Sequence, residues 1–383
     1  MDIKKYRSSN MELLRICAML MIILFHIVRH CVSIQLTDGG SIARWGNGLF
    51  NYPAFYRKLL ILVSIMPLGI IANAIFILIS GYFMINKKQV DIIGIARKLL
   101  PQLVSTTVLL VVVTMLIRGY VSGSSIAVLY GEGERIKTLD IQIFNSYYWF
   151  IGYYFSVIII AALFLNKLLQ KVNEKQYLTF LIICFVVIQL GWPGSLIDNL
   201  AGGLRTLLTG IFLYSFGGYI QNYDPFKRLR FSSLCLIMLV VYILIYISSY
   251  NTTMNNIEQY IYSENNGEFY QVLPSFENYS IVIIVMGTTL FEMFKRIRIS
   301  QSAFINYLGS ATFMIYLVHD NDFFYSLWNT QDWITLLYYR PYAFIFKILI
   351  WTLITFMIGV TVYGFYTYAK KLVIKYKWLF WKG

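Results

Sequence analysis

Residues 11–26 read MELLRICAMLMIILFH. From Leu13 the chain stays largely apolar to about residue 33, and about 20 such residues cross a bilayer as a helix. Two residues interrupt that character, Arg15 near the start and His26 well inside. Ionisable groups within a bilayer are costly, and they usually face a bundle interior or an aqueous path beside a partner. At about 100° per residue, eleven positions leave Arg15 and His26 about 20° apart around the helix and about 16 Å apart along it. Glu12 lies three residues before Arg15, close enough to pair with it, and His30 follows His26 by one turn. One stripe of the helix therefore runs Glu12, Arg15, His26, His30. Each member also has a plainer reading. Arg15 could snorkel to the headgroups, and His26 could be a neutral imidazole hydrogen-bonded to another helix. His26 and His30 have the i,i+4 spacing of a metal pair, but the sequence offers no third ligand, so no metal is expected.

The rest of the chain agrees with a membrane reading. Of 383 residues, 58% are hydrophobic and 13% charged, and the mean hydropathy is +0.64. Soluble domains average about 25% charged. The apolar residues fall in blocks of about 17 to 25, so the fold expected is an all-α polytopic transmembrane bundle. Ten spans are expected, at about 13–33, 59–85, 99–118, 147–165, 177–193, 203–220, 232–250, 279–294, 302–318 and 342–368. The first block is too long for a cleaved signal segment and is expected to stay as the first helix. Residues 1–383 form one unit, with no soluble stretch long enough to stand alone.

Charge supplies an independent check. The net charge of +14 could suggest nucleic acid, but the cations sit in short clusters between apolar blocks, without a basic-aromatic stripe. No nucleic-acid partner is expected. Segments placed in the cytoplasm by an even-pass topology hold Lys4, Lys5 and Arg7, then Lys87, Lys88, Arg97 and Lys98, then Lys167, Lys171 and Lys175, then Lys227, Arg228 and Arg230, then Lys295, Arg296 and Arg298, then a lysine-rich tail. The opposite side carries less than half as many cations and most of the acids. This is the positive-inside pattern, with both termini cytoplasmic. Pro67, Gly69 and Asn73 within the second span point to a kink or a re-entrant start. The outer segments 34–58, 119–146 and 251–278 are long enough to cap an outer mouth or to be ordinary loops. Cys17, Cys31, Cys184 and Cys235 are scattered and fit neither a disulfide framework nor a zinc site.

Three further stretches carry possible chemistry. ILISGYFM (77–84) holds Ser80 and Gly81, a small pair that permits close helix approach or lines a site. ARKLLP (96–101) brings Arg97 and Lys98 to the start of the third span, as phosphate ligands or as a headgroup anchor. FMIYLVHD (313–320) puts His319 and Asp320 at the end of the ninth span, with Tyr316 one turn below. There a carboxylate could orient the histidine, or the group could be an interfacial anchor. Nucleotide loops, G-x-S-x-G elbows and H-E-x-x-H signatures are absent, so any catalysis must use groups embedded in the bundle.

Taken in order, these stretches resemble the acyltransferase-3 family of integral membrane acyltransferases. RSSNMELLRICAMLMIILFH resembles its first-span signature, with Arg15 and His26 as the spaced basic residue and histidine. ILISGYFM resembles its Ser-Gly motif, ARKLLP its arginine-rich approach to the third span, YYWFIGYYFSVII (147–159) its Trp-Phe span, and ATFMIYLVHD its Tyr-Leu-x-His segment. The chain departs from the family's paired arginines, having Arg97 followed by Lys98 and no arginine at 94 or 100. The ISGYF wording is similar to that of bacterial cell-surface polysaccharide O-acetyltransferases. The resemblance implies a multi-pass protein of a bacterial-type cell membrane, with no bound cofactor. Acetyl-CoA, or another acyl-CoA, would be the co-substrate and a sugar hydroxyl of a lipid-linked or cell-surface glycan the acceptor. His26 would then act as general base or acyl-carrying nucleophile with Arg15. Arg97, Lys98, Ser80, Tyr316 and His319 would bind substrate, and Glu12, His30 and Asp320 would support. The rival readings are a glycan-lipid flippase that uses Arg15 and His26 as a polar path, and a sensor or scaffold that binds through its outer acidic loops.

Overall fold

The long apolar blocks fold as helices because in lipid every backbone polar group must be satisfied within its own segment. The computed structural model describes residues 8–37, 53–118, 149–190, 198–263, 273 and 280–380. In chain order the main helices are α1 (Ser9–Ile27), α2 (Ser33–Thr37), α3 (Pro53–Ile65), α4 (Leu68–Met84), α5 (Ile92–Arg118), α6 (Trp149–Ile160) and α7 (Asn166–Leu169). They continue as α8 (Glu174–Leu190), α9 (Asp198–Tyr223), α10 (Phe231–Ser263), α11 (Ile281–Arg296), α12 (Ala303–His319), α13 (Asp322–Asn329), α14 (Trp333–Tyr339) and α15 (Pro341–Phe380). Among the described residues there is no strand.

Among the described residues, six stretches are long and apolar enough to cross a membrane: Ser9–Leu36, Phe55–Met84, Ile92–Leu110, Trp149–Leu169, Phe231–Glu258 and Pro341–Val373. The other four expected spans coincide with α8, α9, α11 and α12. Of these, α12 has 17 residues, a rise of about 26 Å against a hydrocarbon core of about 30 Å. The helix is interrupted at Pro67, since α3 stops at Ile65 and α4 starts at Leu68. Residues 38–52, 119–148, 191–197, 264–272 and 274–279 hold most of the outer segments, and the expected cap lies with them outside the described residues.

Hydrogen bonds between helix ends define one end of the bundle. Asn166 Nδ2 donates to the Met84 carbonyl at 2.9 Å, Asn86 Nδ2 to Asn222 Oδ1 at 2.7 Å, and Lys295 Nζ to Asp224 Oδ1 at 2.6 Å. Asn10 Nδ2 donates to the Phe294 carbonyl at 3.0 Å, and the Ser302 amide donates to Ser9 Oγ at 3.0 Å. The trailing ends of α4, α9 and α11 thus meet the leading ends of α1 and α12. Helices that alternate in direction produce this arrangement, and it sets α1 and α12 parallel and side by side.

Close packing in lipid relies on small residues, because apolar side chains gain little by leaving lipid for one another. A Cβ on Gly81 of α4 would sit 1.8 Å from the Tyr214 carbonyl oxygen of α9, and one on Gly217 would sit 2.2 Å from the Leu78 oxygen. The two backbones therefore touch through reciprocal glycines. In the Ser80-Gly81 pair, Gly81 packs against α9 and Ser80 lines a cavity.

The opposite end is closed by two short helices in a stretch the sequence left without structure. Asn321 Oδ1 accepts from the amides of Phe323 and Phe324 at 3.1 and 3.2 Å and starts α13. Asp332 Oδ1 accepts from the Thr335 amide at 3.1 Å and starts α14. Gln35 of α2 ties this closure to the first helix, accepting from the Trp333 amide at 3.0 Å and donating to the Gln331 carbonyl at 2.8 Å.

Candidate active site

The parallel pairing of α1 and α12 brings their polar stripes into register. At the leading end, Glu12 lies against Gly309, where an added Cβ would be 2.2 Å from Glu12 Oε2. Arg15 donates to Glu12 Oε1 at 3.0 Å, as the three-residue spacing predicts. Further along, His26 Nδ1 lies 3.2 Å from His319 Nε2 and 3.6 Å from Asp320 Oδ1. His30 is also present, its ring 5.4 Å from that of His26 and stacked on Tyr325 at 4.2 Å. The chain has three histidines, and all three meet at this point beside one carboxylate.

Local structure explains the convergence. Just beyond His26 the helix widens into a π turn over Val28–Val32, which carries His30 and Cys31. Such turns break regular helical register and recur at functional sites. Cys31 Sγ donates to the Tyr325 carbonyl at 3.6 Å, fastening the widened turn to α13. On the other side α12 ends at His319, and the Asn321 cap turns the chain back so that Tyr325 faces Asp320. The Tyr325 hydroxyl donates to Asp320 Oδ1, and Tyr316 makes a second side-chain hydrogen bond to the same carboxylate. His319 and Trp328 are fully buried, whereas the His26 side chain keeps 11% of its surface exposed.

The ligand atoms of His26, His30 and Asp320 lie within 4.8 Å of one another. Asp320 is thus the third candidate ligand that the sequence alone did not offer. The hydrogen bonds to His319, Tyr325 and Tyr316 already account for where His26 and Asp320 stand, so the cluster has an explanation in its own groups.

A cavity of about 180 Å³ opens beside this cluster. Arg15, Ser80, Lys98 and Tyr316 all line it, joined by Gln102 and Tyr154. Ser80 Oγ donates to the Phe76 carbonyl at 2.9 Å and pairs with Tyr154 Oη at 3.3 Å, which fixes it on the cavity wall. Four residues singled out from four separate stretches therefore share one space. Arg97 does not line it and is exposed on the neighbouring face of α5. His26 does not line it either, although Ile22, one turn before, does. Tyr316 connects the two regions, with its ring in the cavity wall and its hydrogen bond to Asp320.

A family model described as an acyltransferase domain matches residues 8–370, almost the whole chain. The chain belongs to the acyltransferase-3 family. This acyltransferase thus carries its matched region through α1, the cavity and the histidine cluster to α15. No curated protein and no solved structure matches it. Sequence reasoning about the acyltransferase missed Tyr325, Tyr154 and Gln102. A tyrosine in an aromatic-rich chain gives no signal by itself, and Tyr325 gains meaning only from the turn set by Asn321.

Proposed function

We propose that this membrane acyltransferase moves an acetyl group from acetyl-CoA to a sugar hydroxyl of a lipid-linked or cell-surface glycan, in a bacterial-type cell membrane, with His26 at the centre of the reaction. The observation that carries the reading is the convergence of all three histidines and Asp320 next to a cavity lined by Arg15 and Lys98. A sugar hydroxyl is a weak nucleophile at neutral pH. It needs either a base to take its proton or a preformed reactive acyl donor, and an imidazole can supply both.

The arrangement suits a long donor entering from the Arg15 end. Coenzyme A is anionic at its nucleotide and neutral along the arm that carries the thioester. The cavity is small for a whole nucleotide, since pockets for drug-sized ligands run to about 300–1,000 Å³. The arm would thread inward past Ser80, Tyr154 and Tyr316, and the phosphates would remain near Arg15 and Lys98, with Arg97 on the outer face. Glu12 holds Arg15 in place and offsets part of its charge, so Arg15 orients the donor as much as it attracts it.

Purified protein in detergent, given acetyl-CoA with and without a glycan acceptor, tests the reading. Consumption of the thioester with acetyl on the acceptor supports it. Translocation of a glycan lipid with no thioester consumption would point to a flippase instead.

A further inference from the structure

The histidine cluster has a direction, written in its hydrogen bonds. His319 Nδ1 lies 2.6 Å from the Ile315 carbonyl oxygen, one helical turn back. A carbonyl only accepts, so this nitrogen carries the proton. In neutral His319 the other nitrogen, Nε2, is then a lone pair, and its partner at 3.2 Å is His26 Nδ1. That contact is a hydrogen bond only if His26 Nδ1 carries a proton. The proton on Nδ1 leaves the lone pair of neutral His26 on Nε2.

We infer that His319 is a positioning residue that holds His26 in the Nδ1–H tautomer through the chain Ile315 carbonyl, His319, His26, so that Nε2 is the reacting atom. This deepens the proposed function and rests on it. In the base route, His26 Nε2 takes the proton of the acceptor hydroxyl while the oxygen forms its bond to the thioester carbon. The carbon–sulfur bond then breaks, and the proton passes from Nε2 to the departing sulfur. In the nucleophile route the same Nε2 lone pair forms the bond to the acyl carbon as the carbon–sulfur bond breaks and the thiolate leaves. The acceptor oxygen then bonds to that carbon, the carbon–Nε2 bond breaks and returns the lone pair to Nε2, and the hydroxyl proton passes to the thiolate. Both routes make His26 transiently cationic, with Nδ1–H unchanged. Asp320 Oδ1, 3.6 Å from that nitrogen, is placed to stabilise the cation, and the hydroxyl of Tyr325 holds the carboxylate there. Complete burial of His319 fits a group that orients another and touches no substrate, whereas His26 keeps an exposed edge.

With three histidines in the chain, labelling of their ring nitrogens can be read directly. In ¹⁵N-histidine NMR of the intact protein in micelles at neutral pH, His26 and His319 are expected to show protonated Nδ1 and unprotonated Nε2, assigned by the signals lost in H26A and H319Q. A protonated Nε2 on neutral His26 in the wild type overturns the inference, whatever the variants do. Kinetics give a second readout. His319→Gln keeps an acceptor at the Nε2 position and is expected to retain kcat within about tenfold. His319→Leu keeps bulk but no acceptor, and is expected to lose about 100-fold or more in kcat, with little change in donor KM. Equal losses in both variants, or none in His319→Leu, would contradict the tautomer role. An inactive H26A beside an active H319L would remove this inference alone, whereas an active H26A would remove the proposed function beneath it.

Discussion

Glu12 and Gly309 are in direct contact, and a methyl group on Gly309 would come within 2.2 Å of Glu12 Oε2 and 2.7 Å of its Cβ. The second distance matters more, because a Cβ cannot rotate away. The contact fixes how closely α1 and α12 approach, and through Glu12 it fixes Arg15 in the cavity lining. Gly309→Ala is therefore expected to push the two helices apart and displace Arg15, raising donor KM several-fold in a protein that still inserts. Steady-state kinetics with varied acetyl-CoA check this. An unchanged KM would mean that Arg15 is not set by this contact.

The crossing of α4 and α9 gives a prediction about stability. Gly81 and Gly217 each meet the other helix's backbone, not a movable side chain. Overpacking a tight site costs about 1–3 kcal/mol. Gly81→Ala and Gly217→Ala should each lower the thermal midpoint in detergent, and the double variant should cost less than the sum, because one opening of the crossing relieves both. Additive losses would indicate two independent sites.

How much of this was legible in advance follows from the physics of each feature. The helices were readable because lipid forces long apolar runs into helices, and Pro67 broke one where its missing amide requires. The stripe from Glu12 to His30 was readable because helical spacing is rigid, and the Glu12–Arg15 pair formed as spaced. The meeting of His26 with His319, 293 residues apart in sequence, is a tertiary fact that no local pattern contains. The resemblance placed both in one family motif set but not in contact. Asp320 was legible only as a neighbour of His319, and its orientation comes from the Asn321 cap and from Tyr325. Arg97 and Lys98 looked equivalent in sequence, yet helical geometry turns Lys98 to the cavity and leaves Arg97 outside it.

Tyr325 supplies a test of the carboxylate. Its hydroxyl donates to Asp320, a buried group in the cluster. Tyr325→Phe removes one donor and leaves the ring in place to stack on His30. Losing a partner of a buried polar group costs about 1–3 kcal/mol. The variant should unfold at lower temperature and lose about tenfold or more in kcat, measured by thermal unfolding and turnover. Full turnover with lowered stability would assign the hydroxyl to folding alone.

The role proposed for His26 in acyl transfer is open to direct test. The direct test is the O-acetyl content of surface glycan in cells lacking the gene, complemented with wild-type protein or with His26→Ala at matched abundance in the membrane. The expected result is restored acetylation with the wild type and none with His26→Ala. Acetylation at wild-type level in the His26→Ala cells would contradict the account.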